Sequence, residues 1–136
     1  MPRIVDLSRL EPEYVSALKS RGVHSTDSLL RHASTAKMRD SLAAQTGIPE
    51  PLIFEWVNMA DLMRVNGLGE SYCLLLKAAG VRRLDDLRQA QANELYNAIA
   101  QVKDFKKWVG RLPSFRRVRS WIDASRRIPI VLDHTS

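Results

Sequence analysis

Apolar residues recur at three- and four-residue spacing along most of the chain, and no stretch alternates with period two for long enough to argue a strand. The expectation is an all-α fold. The first helical segment runs from about Glu11 to Arg21, with Pro12 suited to a first turn and Gly22 to the stop. Val23 turns inward, and Ser25 or Thr26 caps a short helix through Ala33. Ser34 or Thr35 caps the next, to about Thr46, closed by Gly47. Pro49 starts a fourth, with Leu52, Ile53, Trp56, Val57 and Ala60 on one face. Leu62 and Val65 form an apolar edge before a glycine turn; Tyr72, Leu75, Leu76 and Ala79 line the helix after it, which Gly80 ends as a C′ residue. Leu84 to Ala90 reads as a short helix, and Asn93 as the cap of a longer one bearing Leu95, Ala98, Ile99 and Val102. Asp104 to Val109 is expected to be another, broken by Gly110 and Pro113. Ser114 caps the last, with Phe115, Val118, Ile122 and Ser125 inward, Trp121 beside them and Pro129 at its end. The tail from Ile130 to Ser136 is a short apolar run with polar ends, either loose or docked on a partner.

The turn between Leu62 and Val81 carries the most distinctive spacing. Gly67 and Gly69 flank Leu68, an apolar plug between two residues able to take φ > 0 at little cost. Such a turn leaves backbone N–H groups pointing outward at the start of a helix, which is an anion-binding geometry. Val65, Asn66, Gly67, Leu68 and Gly69, followed by a helix, resemble a helix-hairpin-helix motif. The continuation from Ala79, Gly80 and Val81 to Leu84, Asp85, Asp86 and Leu87 is similar to a bacterial family of tandem helix-hairpin-helix domains of unknown function. The likeness covers about Leu7 to Ile128. It implies a compact bundle of short helices and a grip on the sugar–phosphate backbone of DNA that reads no sequence.

An internal copy precedes this motif. A shift of 58 residues pairs Leu10 with Leu68, Tyr14 with Tyr72, Leu18 with Leu76 and Lys19 with Lys77. It also pairs Gly22 with Gly80, Val23 with Val81, Asp27 with Asp85 and Leu29 with Leu87, eight identities in 24 positions. Trp121 and Ile122 echo Trp56 and Val57, so the repeat is expected to include its flanking helix. The organisation read from this is a single domain over 1–136, with repeat one at about 7–60, repeat two at about 61–128 and a tail at 129–136. Ser8, Arg9, Leu10 and Glu11 stand where the second copy has Asn66, Gly67, Leu68 and Gly69. Without glycine, and with Glu11 of the wrong sign, the first copy is read as structural.

Charge sharpens the asymmetry. The formal net charge is +6, yet residues 1–68 carry 8 Lys/Arg against 8 Asp/Glu, and residues 69–136 carry 13 against 7. Within 103–127 the count is 9 against 2. That excess points to an acidic partner: DNA first, an acidic protein face second. The apolar fraction of 45% is ordinary for a globular chain, and no apolar run approaches the length of a membrane span. The N-terminal residues offer no apolar signal core, and the lone Cys73 suits a reducing compartment, so a cytoplasmic protein is expected.

Candidate chemistry is sparse. His24, His32 and His134 have no second His or Cys at ligand spacing, and no Ser–His–acid set follows from spacing. Asp85 and Asp86 open a helix, where carboxylates favour the dipole. No catalysis, metal, cofactor or small-molecule substrate is therefore expected. The candidate nucleic-acid-binding residues are Gly67, Leu68, Gly69 and Ser71 in the hairpin, and Lys77 one face along the helix. Lys103, Lys106, Lys107, Arg111, Arg116, Arg117 and Arg119 form the basic stretch. Glu70 opposes a phosphate at the hairpin, and Phe105, Trp108, Phe115 and Trp121 are read as core rather than as stacking platforms. The alternative reading is a protein-interaction adaptor or accessory subunit, with an architectural hairpin and with the basic helix and tail docking on an acidic protein.

Overall fold

A computed structural model describes residues 10–133, in which α-helices joined by short turns dominate, with no strand among the described residues. Among the described residues eight α-helices follow one another: α1 Pro12–Ser20, α2 Thr26–His32, α3 Ala36–Thr46, α4 Glu50–Leu62, α5 Glu70–Ala78, α6 Leu84–Gln89, α7 Ala92–Ala100 and α8 Phe115–Ser125. No described helix is long and apolar enough to cross a membrane. The expected caps open α2, α3 and α8. Thr35 Oγ1 accepts from the Met38 amide, Ser114 Oγ from the Arg117 amide, and Ser25 forms a reciprocal box with Ser28. Gln91, rather than Asn93, stands at the N-cap of α7. The expected helix over 104–109 is only a 3₁₀ turn, Phe105–Lys107. A segment that short, stopped by Gly110 and Pro113, gains too few i→i−4 bonds to offset nucleation.

The chain divides into two compact units, residues 1–61 with 130–136, and residues 62–129. In the first unit α3 packs on α1 and α2. Its buried residues include Leu18, Val23, Leu29, Leu42, Ile48 and Ile53. Arg39 of α3 is also buried, at 2% exposure. Its Nη1 donates to the Ala33 carbonyl (3.0 Å), its Nη2 to the Asp133 carbonyl (2.9 Å), and its guanidinium lies 4.6 Å from the Phe54 ring centre. Glu50 Oε1 stands 3.6 Å from its Nε. The Asp133 amide donates to the Ser34 carbonyl, and Leu132 is buried. The tail is thus pinned to its own chain at Leu132 and Asp133 rather than loose there, while Ile130 and Val131 stay exposed. Ser8, Arg9, His134 and the rest of residues 1–9 and 134–136 lie outside the described residues.

In the second unit α8 packs on α6 and α7, and α5 on α7. Leu75, Leu76, Leu87, Ile99, Val118 and Trp121 are buried. Arg88 donates to the Ile128 carbonyl, and Arg126 to the carbonyls of Arg88 (3.0 Å) and Ala90 (3.2 Å), tying the end of α8 to the end of α6. Two features appear once in each unit. Gly22 and Gly80 take φ of +83° and +100°, and the following valine amide reaches back to Leu18 (3.0 Å) or Leu76 (2.8 Å), which is the six-to-one bond of a Schellman turn. Tyr14 lies against Trp56, and Tyr72 against Trp121, each pair with its rings tilted by 55°. The units differ in charge. The first carries 7 Lys/Arg against 9 Asp/Glu, the second 14 against 6.

Candidate nucleic-acid interface

The glycine hairpin lies wholly in the second unit. Two short bonds shape it: the Val65 amide donates to the Leu62 carbonyl and the Leu68 amide to the Val65 carbonyl, both at 3.0 Å. Gly67 sits at φ +88°, and a Cβ there would lie 3.6 Å from Trp121 Nε1. Asn66, Gly67, Gly69 and Ser71 are exposed, while Leu68 is 3% exposed. The Leu68 side chain is therefore core, and it is withdrawn from the set of surface contacts. Gly69 is the N-cap of α5 at φ −87°, ψ −176°, extended backbone that needs no glycine. It offers no side chain to the first-turn amides of α5, and the first intrahelical amide bond is Cys73 to the Gly69 carbonyl. The Ser71 and Tyr72 amides lie in that first turn, at the positive end of the helix dipole. Glu70 is half-buried in the same turn.

Arg117 arrives at this turn from α8. Its Nη1 donates to Tyr72 Oη at 2.9 Å, and its guanidinium lies 4.8 Å from the Tyr72 ring centre and 5.9 Å from that of Trp121. Tyr72, expected only as an apolar helix position, is thus the residue that holds a cation beside the hairpin. The aromatic–arginine contact spans 45 residues of sequence, so no local pattern announces it. The Arg117 side chain remains exposed.

The other predicted cations separate into two places. Lys77 shares a face of α5 with Glu70 but lies in its last turn, about 10 Å along the axis. At that distance it adds little to the hairpin amides, and its assignment to the same site is corrected. Lys103 stands at the same far end, in an open groove of about 520 Å³ with Ala78, Ala98 and Trp108. Lys106 and Lys107 follow on the 3₁₀ turn, where Lys107 pairs with Asp104 at 3.5 Å on the surface. Arg111, Arg116 and Arg119 are exposed, with no acidic partner among the described residues. At 100° per residue, Arg116, Arg117, Arg119, Arg126 and Arg127 cover about half the circumference of α8, while Val118, Trp121, Ile122 and Ser125 are buried.

Asp86 and His32, among the other titratable groups, have structural partners. Asp86 accepts from the Arg82 and Arg83 amides, both at 3.1 Å, and His32 Nδ1 lies 2.8 Å from the Ser28 carbonyl. Burial, with the Glu70 carboxylate second, pushes the Cys73 thiol up to about 12. No cluster of three or more His, Cys, Asp or Glu arranged for a metal occurs among the described residues.

A family model described as Domain of unknown function (DUF4332) matches residues 8–128. The chain belongs to that family. The DUF4332 match takes in the hairpin, the Arg117–Tyr72 contact and all of α8, and it ends before the tail. No curated protein and no solved structure matches the chain.

Proposed function

We propose that the protein binds DNA without catalysis and without reading sequence, by the phosphate backbone, through the second of two tandem helix-hairpin-helix units. The observation that carries this reading is the exposed hairpin at the N-terminus of α5, where Gly69 as N-cap brings no capping side chain, with Arg117 clamped beside it by Tyr72. The Ser71 and Tyr72 amides would receive a phosphate oxygen, and Arg117 would supply charge. Arg116 and Arg119 on α8 extend the cationic surface, and the +8 balance of the second unit supports it. Support for a tandem origin comes from the paired Schellman turns and the paired Tyr–Trp contacts. Glu11 as N-cap of α1, where α5 has Gly69, supports an architectural part for the first unit.

Fluorescence anisotropy against random duplex at two salt concentrations tests the proposal. Binding should weaken steeply with salt, and the Arg116→Ala/Arg117→Ala variant should lower the log–log slope by about 0.9 per lost phosphate contact. Absence of binding at low salt contradicts it. A second reading, docking on an acidic protein through α8 or the tail, is favoured by Ile130 and Val131, both exposed beside the buried Leu132. Capture of one acidic protein by the intact chain, lost when Ile130 and Val131 become Ser, would select that reading.

A further inference from the structure

We infer that the edge of the second unit between α7 and α8 accepts single-stranded DNA, with Tyr96 and Phe115 as the platform on which an unpaired base stacks. This rests on the DNA-binding reading above and adds the form of the strand. Tyr96 and Phe115 are 37% and 42% exposed, and their ring centres are 5.7 Å apart at 83°. Edge-to-face contact satisfies the pair with each other and still leaves ring surface open to water. Exposed large apolar residues are few among the described residues, and in the second unit they are these two.

Charge complements the rings along the same stripe. Arg119 follows Phe115 by one turn of α8 and Arg126 by three, all within about 40° around the axis. Arg119 has no partner among the described residues. Arg126 is held in place by the carbonyls of Arg88 and Ala90. These two arginines line a cleft of about 320 Å³ with Gln91 and Ala92 at the start of α7. From the ring pair to Arg126 the stripe runs about 16 Å, room for a short run of nucleotides. Asp123 also lines the cleft, one carboxylate against two guanidinium groups. Rings beside cations select a strand whose bases are free, because a duplex offers this surface its phosphates but keeps the faces of its bases stacked inside.

The test is anisotropy at low salt with labelled oligothymidylate and with a duplex of equal length. The wild type is compared with Phe115→Ala, Tyr96→Ala and Phe115→Trp, each checked for an unchanged melting midpoint. The strand should bind more tightly than the duplex. Either alanine variant should lose about 5- to 100-fold in strand affinity with duplex affinity unchanged, and Phe115→Trp should retain the strand. Duplex binding with strand affinity insensitive to Phe115 and Tyr96 overturns this inference and leaves the backbone-binding reading standing. Equal losses on both ligands also overturn it. Binding of neither ligand overturns both.

Discussion

Gly67 holds φ at +88°, where an alanine is strained, whereas Gly69 sits at −87° with open space around a would-be Cβ. Gly67→Ala is expected to cost about 1–2 kcal/mol in urea denaturation, from backbone conformation rather than from contact with Trp121. Gly69→Ser should instead stabilise by a few tenths of a kcal/mol, about the difference between serine and glycine as N-cap. The new hydroxyl would occupy the amide that the proposal gives to phosphate, so the same variant should weaken DNA binding while gaining stability. A variant that gained stability with no change in DNA affinity would argue against the amide contact. Cys73 gives a pH prediction. Its thiol ordinarily ionises at 9.0 and in the fold at about 12, so between those values the unfolded chain releases a proton that the folded chain keeps. Stability then falls as pH rises through that window, and below 9.0 the thiol contributes no slope. Cys73→Ala should flatten the alkaline loss by up to about 1.4 kcal/mol per pH unit, read from urea midpoints across the range.

At the scale of elements, the Arg39 side chain joins α3 to the tail. Replacing Arg39 by Met keeps its bulk but orphans the Ala33 and Asp133 carbonyls, at about 1–3 kcal/mol for each one left buried. A loss of about 2–4 kcal/mol is expected, with residues 130–133 newly open to limited proteolysis. A variant with wild-type stability and an intact tail would show that the buried guanidinium is dispensable. The helix boundaries were legible where a single residue decides them: Gly47 at the end of α3, Ser114 at the start of α8, and the Gly22 and Gly80 turns. What escaped were contacts set by tertiary distance. Arg39 meets Asp133 across 94 residues, and Arg117 meets Tyr72 across 45. Phe115 fits the inward period of α8, yet as the first residue of that helix it lies at the core's edge and turns to Tyr96. Leu68 was legible as a plug, and as a plug it leaves the candidate site.

For the molecule as a whole, charge follows the division into units more closely than it follows sequence halves. The second unit carries +8 and the first −2. Such a distribution speeds encounter with a polyanion and makes it salt-dependent, but it does not say which atoms grip. The amide proton spectrum of the intact, isotope-labelled protein does. Titrating it with random duplex at low salt is predicted to shift the Ser71 and Tyr72 amides and the Arg117 side-chain signal first, with α1 and its flanking turns unmoved. Saturable binding that leaves Ser71, Tyr72 and Arg117 unshifted would contradict the hairpin grip on which the proposed function stands.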